Sequence, residues 1–208
     1  NQEVEKAVLA LGRRYVHHEA DLTKRAETKA VIPAVVEKMG DINILVNNAG
    51  IIRRSAAVDY SEEDWDATIE IDVTAAFILS QAAGRIMLKK GKGKIINIAS
   101  VLSFQGGMNV VAYSTAKHGI AGMTKALASD WAKHGINVNA IAPGFFVTEL
   151  TEALQKDQDR NKAITMRTPA GRWGEIADIT GSALFLASPA SDFVHGVVLP
   201  VDGGWMAL

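Results

Sequence analysis

Apolar residues recur at helical spacing at Val4, Val8 and Leu11, and Gly12 closes that pattern. RYVHHEADL then reads as a short extended stretch ending in polar residues. Residues 23–39 return to the helical period with Pro33 inside, which predicts a kink or a break. INILVNNAG reads as a buried strand running into a polar turn. Ser61 ahead of EEDW reads as an N-cap followed by acids that suit the helix dipole, and the helix extends to about Lys89. GKGKIINIAS supplies a glycine turn and a strand, and residues 110–134 a long helix ended at His134-Gly135. INVNAIAPG is a further strand, stopped by Pro143-Gly144. A loop with one helix follows to about residue 165; GEIADITGSALFLASPAS is helical up to Pro189, and GVVLPVDGG is the last strand.

Strands thus alternate with segments of helix-crossing length, and the strands are continuous apolar runs. Both features predict a doubly wound α/β fold, a parallel sheet covered on two faces. Ligands in such folds bind beyond the carboxyl ends of the strands. The polar strand tails that fall there are Asp21, NNAG at 47–50, Ser100 and Pro143-Gly144.

Composition narrows the function. The 208 residues, 48% of them hydrophobic, suit one globular domain over residues 1–208. A formal charge of −1 argues against nucleic acid or an anionic membrane as the partner. The absence of cysteine excludes disulfides, thiolate zinc sites and thiol catalysis. VTAAFILSQAAGRIML is interrupted by Gln81 and Arg85 and is not read as a membrane span. NQEVEKAVLALGRR lacks the apolar core of a signal peptide, and the five histidines show no metal-ligand spacing.

AYSTAKHG places Tyr113 and Lys117 four residues apart on the long helix, hence on one face. An ammonium about 6 Å from a phenol at an effective dielectric of about 20 favours the phenolate by about 3 kcal/mol, roughly two pKa units. Ser100 at the end of the preceding strand can steady a developing charge on a substrate oxygen. Taken in order, NNAG, Ser100, Tyr113-x-x-x-Lys117, Pro143-Gly144 and the terminal VDGG resemble the short-chain dehydrogenase/reductase family over essentially the whole chain.

That resemblance implies a Rossmann-type sheet and hydride transfer between NAD or NADP, with NAD favoured, and a secondary alcohol or ketone. It implies Ser100, Tyr113 and Lys117 as catalytic residues, with Asp72 at a fourth position where the family has asparagine. The family residue acts through its backbone carbonyl, which aspartate keeps, but a carboxylate could pair with Lys117 and blunt its effect on Tyr113. The resemblance further places Asp21 and Leu22 at the adenine. The backbone of Asn47, Ala49 and Gly50 falls at the adjacent ribose, Pro143-Gly144 at the nicotinamide, and Thr148 at the carboxamide or a phosphate. Lys117 can also bond a ribose. The Asn47 side chain can equally serve only to pin neighbouring strands, and Asp21 only as an acid at a helix N-terminus.

NNAGIIRR, SFQGG, PAGRWG and VDGGW resemble the members that act on sugar acids. Arginine forks suit a carboxylate, so Arg53 and Arg54 are candidate substrate residues, or else solvated basic residues of a loop. The resemblance adds Gln105, where the family's substrate-facing residues sit, and Trp173, which could close the pocket or serve an interface, with the helix 151–163 and its flanks as a lid. The resemblance also implies a cytoplasmic homotetramer. No Gly-rich phosphate-cradling turn occurs in the sequence, and the strands and turn that carry it in the family are expected to precede Asn1. Without them INILVN is expected to have an exposed apolar edge. The competing class is a catalytically silent relative serving as a binding or assembly subunit.

Overall fold

The computed structural model describes residues 2–208. Helix α1 (Gln2–Ala10) buries none of its residues, and α2 (Arg25–Met39) leads into strand β1 (Ile44–Asn47). One long helical run follows, made of α3 (Glu62–Ile69), a π turn (Glu70–Thr74) and α4 (Ala75–Lys90). Then come β2 (Gly93–Ile98), α5 (Val111–Trp131) and β3 (Ile136–Pro143). Short helices α6 (Glu152–Lys156) and α7 (Gln158–Arg167) precede α8 (Ile176–Ala187) and β4 (Val198–Val201). All neighbouring strands are parallel, in the order β1-β2-β3-β4. This is the α/β Rossmann-type sheet that the alternating pattern predicts.

The two faces of the sheet are closed by different helices. On one, Leu45, Ile95, Ile136 and Val138 pack with Ile32 of α2, Ala83 and Met87 of α4, and Leu127 and Ala128 of α5. On the other, Ile96 and Ile141 pack with Leu186 of α8. The helical run Glu62–Lys90 is long and apolar enough to cross a bilayer. Its buried positions (Ala75, Ala76, Ala83, Gly84 and Met87 among them) are small or flexible and let it lie close to the core instead. Gly84 is required there, since a Cβ would stand 2.7 Å from the Trp131 ring. Buried asparagines tie the layers together. Asn47 donates to Asn97 at 2.8 Å and to Ser80 at 2.9 Å, and Asn97 donates to Thr124 of α5 at 2.9 Å.

Three expectations are corrected. RYVHHEADL forms no strand. β1 is the edge of the sheet, so residues 13–21 have no ladder to join and remain irregular. Helix α2 runs unbroken through Pro33, which sits on its exposed face, where the carbonyl left without a donor can reach solvent. The segment to residue 165 holds two short helices, because Asp157 is extended (φ −79°, ψ 105°) and caps α7 by accepting the Arg160 N–H at 3.0 Å. The expected edge is present: Ile44 and Val46 of β1 are 45% and 48% exposed, on the side that faces away from Leu45 and Asn47.

Candidate active site

The carboxyl ends of β1, β2 and β3 open into one cavity of about 980 Å³. The strand ends contribute Asn48, Ala49 and Gly50, then Ser100, then Pro143 and Gly144. Helix α5 contributes Tyr113 and Lys117, and α7 forms the opposite wall. Ser100 is held by its own turn, where its hydroxyl accepts from Leu102 N–H at 3.1 Å. Ser103 ties this turn to α5 by donating to the Lys117 carbonyl at 2.7 Å and accepting from Ser100 N–H at 3.3 Å. The sequence reading missed Ser103; its only signal is its place three residues after Ser100, as in a capping box.

Behind Tyr113 lies a buried ion pair. Lys117 Nζ sits 3.3 Å from Asp72 Oδ2, with side chains 5% and 0% exposed, and donates to the Ile98 carbonyl at 3.0 Å. Asp72 lies in the π turn, where the extra residue re-aims its side chain inward, and its Oδ1 accepts from Ile51 N–H at 2.8 Å. Gly50 makes room for it, because a Cβ there would meet Asp72 Oδ2 at 3.0 Å. The expected acidification of Tyr113 by Lys117 does not occur in this state. Burial pushes the phenol up to about 12, with the Asp72 charge adding to the rise and the Ser100 hydroxyl and Arg54 opposing it. The ammonium lies over the ring, 5.2 Å from its centroid, and Asp72 neutralises its field. Burial likewise raises the Asp72 carboxyl and lowers the Lys117 ammonium, each opposed by its partner's charge.

The remaining candidates divide. Arg54, Gln105, Ala49, Gly50, Pro143, Gly144 and Thr148 line the large cavity. Thr148 spends its hydroxyl partly on Thr151, at 3.3 Å. The Gly144 position touches Asp202, whose Cα would be 2.7 Å from an added Cβ. Asn47 and Leu22 line a smaller adjoining cleft with Ala49 and Leu79, and the Asn47 side chain is engaged in the asparagine network. Asp21 stands outside both, exposed at the start of α2, accepting from Thr23 N–H at 3.0 Å and pairing with Lys24 at 3.2 Å. Arg53 turns away from the cavity to Asp64 at 3.5 Å, because consecutive residues of an extended loop point to opposite sides. Trp173 lies behind the wall, donating to Asn161 at 2.9 Å and meeting Phe145 edge-on. Arg160, Arg167 and Trp205 line the cavity, and the sequence reading assigned none of them to it. Arg160, Ala163, Ile164 and Arg167 fall at i, i+3, i+4 and i+7, so the helical spacing was there to be read.

The small residues Ala49, Gly50, Ala99 and Gly144 leave an open floor, and no lining residue is acidic. That fits a flat, anionic dinucleotide laid across the strand ends. Residues 1–206 match the family described as enoyl-(acyl carrier protein) reductase, and the chain belongs to the short-chain dehydrogenases/reductases. Among its relatives, the 2-dehydro-3-deoxy-D-gluconate 5-dehydrogenase of Dickeya dadantii is 49% identical over 207 residues, covering 99% of this chain and 82% of that protein. The solved structure of a protein described as gluconate 5-dehydrogenase from Beutenbergia cavernae, with bound NADP, is 45% identical. It superposes with a TM-score of 0.95 over 99% of this chain and 82% of its own. One described as 2-deoxy-D-gluconate 3-dehydrogenase from Agrobacterium tumefaciens, also with NADP, is 48% identical with a TM-score of 0.90, over 100% and 82%.

Proposed function

We propose that the protein is a nicotinamide-dependent dehydrogenase of sugar acids, interconverting a ketone and a secondary alcohol as in 2-dehydro-3-deoxy-D-gluconate 5-dehydrogenase. The observation that carries this reading is the convergence of Ser100, Tyr113 and the buried Lys117–Asp72 pair on one cavity at the strand ends. Gluconate 5-dehydrogenase is the nearest alternative, since a solved neighbour carries that description. The sequence resemblance favours NAD, but both solved neighbours hold NADP, so we assign a nicotinamide cofactor without preferring NAD.

Ala49, Gly50, Pro143 and Gly144 would hold the cofactor, and Lys117 would reach its ribose. When bound, the nicotinamide supplies or accepts the hydride. Tyr113, neutral with its pKa near 12, keeps a proton to give to the carbonyl oxygen as it becomes an alkoxide. Ser100 donates a hydrogen bond to the same oxygen and steadies its charge. Lys117 is fixed by Ile98 and Asp72 beneath Tyr113 and holds a positive charge beside the phenolate that forms.

Assembly as a homotetramer belongs to the same proposal, supported by apolar side chains left exposed at Phe77, Leu184 and Phe193, and so does a cytosolic location, supported by the resemblance alone. Light scattering tests the tetramer, and cell fractionation the location. The decisive experiment follows nicotinamide absorbance with sugar acids and their keto forms, using the full chain and NADH or NADPH. Turnover of a keto sugar acid supports the proposal. Dinucleotide binding with no turnover of any keto sugar acid would indicate a silent subunit.

A further inference from the structure

Four charged side chains line the large cavity, namely Arg54, Lys117, Arg160 and Arg167, and all are cationic. Lys117 is balanced by Asp72. Among the described residues, none of the three arginines forms an ion pair with a carboxylate. The acid that caps the Arg160 helix, Asp157, is turned to the Arg160 backbone, and Asp159, beside Arg160 in sequence, forms no ion pair with it. Arg167 is already occupied, with its guanidinium stacked 3.9 Å over Trp205 and one N–H on Gln105 at 3.4 Å. Arg54 and Arg160 have no such partner. They come from separate elements, the loop after β1 and α7, yet both line the same cavity, and Arg54 feels the charge of Arg160 as well as Tyr113. Burial of Arg54 works against its charge, and so does repulsion by Arg160. A pair of unneutralised guanidiniums facing one cavity is a place where a bound anion finds two charged donors with no competing carboxylate.

We propose that Arg54 and Arg160 together clamp the carboxylate of the substrate, so that α7 reads the acid end while Tyr113 meets the carbonyl. This rests on the sugar-acid reading above and assigns the residues that would make the enzyme prefer an acid over a neutral polyol. The fork geometry of arginine offers a carboxylate two parallel N–H donors from each side. Arg54 and Arg160 line the same cavity as Tyr113, Arg54 from the loop after β1 and Arg160 from α7.

The test titrates the dinucleotide-loaded full chain with D-gluconate and with D-gluconamide by calorimetry, alongside turnover of keto sugar acids. The parent should bind the acid more tightly than the amide, and Arg160→Gln should weaken acid binding about 10- to 100-fold while leaving the amide within about threefold. Arg160→Lys should restore part of the preference, since it keeps the charge and loses the fork. Lys162→Gln, on the solvent side of the same helix, should leave the preference intact. Equal affinity of the parent for acid and amide, failure to bind gluconate, or a preference that survives Arg160→Gln overturns the clamp. So does a loss in Arg160→Gln confined to dinucleotide affinity, which would place Arg160 at a cofactor phosphate. Turnover decides the sugar-acid reading separately: a parent that reduces keto sugar acids but shows no acid preference loses only the clamp, whereas one that reduces only neutral ketones loses the reading itself.

Discussion

The two walls of the cavity handle charge in opposite ways. On the α5 side, Lys117 and Asp72 are buried and paired with each other, and Asp72 adds to the burial that raises the Tyr113 phenol. On the α7 side, Arg160 and Arg167 are exposed to the cavity with no carboxylate against them. A group that must exchange a proton benefits from a dry, balanced setting, where small changes in charge move its pKa by whole units. A surface that must recognise an anion benefits from charges left unbalanced until the anion arrives. The comparison separates chemistry from recognition along a boundary that runs down the middle of the cavity.

Tyr113→Phe should have the largest effect. It removes the proton donor and keeps the ring that packs over Lys117, so ketone reduction should fall about 10²- to 10⁴-fold with dinucleotide affinity retained. Steady-state rates with fluorescence titration of the cofactor check this. Turnover within tenfold of the parent would remove Tyr113 from the reaction.

Lys117→Met strikes the balanced pair itself. It leaves Asp72 buried and unpaired, which should destabilise the fold by about 3–5 kcal/mol at neutral pH. The folded-state pKa of Asp72 is already raised, and without Lys117 it rises further. A raised carboxyl makes its stabilising contribution below its unfolded value and loses it as pH climbs through the folded value. Urea midpoints of this variant should therefore improve on acidification relative to the parent. A pH-independent deficit would mean that packing, not the stranded charge, is responsible.

Asp72→Asn tests the same balance more gently. The ultraviolet signal of Tyr113 in the cofactor-free protein should develop as pH approaches about 12. Removing the Asp72 charge takes away one cause of that rise, so the signal should move to lower pH. An unmoved titration would mean that burial alone sets the phenol.

How much of this could be read beforehand follows from the kind of physics involved. The strands β2 and β3 were legible because both faces are buried, which makes the sequence continuously apolar. Ser61, Gly91 and Gly135 announced their helix ends through local chemistry, a hydroxyl accepting an N–H or a positive φ. RYVHHEADL failed because a strand needs a partner, and pairing is not a property of the segment alone. The order of Ser100, Tyr113 and Lys117 placed the chemistry on the right elements, yet the pKa of Tyr113 was misjudged. Spacing gave the distance to Lys117 but not the burial of the phenol or the closeness of Asp72, which depends on a π turn. The arginines of α7 were not legible because the sequence shows the helical spacing of Arg160 and Arg167 but not which face of that helix meets the cavity.

Arg167→Leu gives the smallest expected effect and the sharpest check on the boundary between the walls. It removes a cation stacked on Trp205 and a long bond to Gln105, interactions worth about 0.5–1 kcal/mol at an exposed site, which urea midpoints would register as a loss of stability of that size. Helix α7 is held independently by Ile164 packed with Val101 and Trp205, so the wall should keep its position when Arg167 is lost. Tyr113 feels Arg54 but not Arg167, so its titration in the cofactor-free protein should stay where it is in the parent. A shift in that titration would show that charge on the recognising wall reaches the phenol through the cavity, and the division between a balanced and an unbalanced side would then be a description of contacts and not of energies.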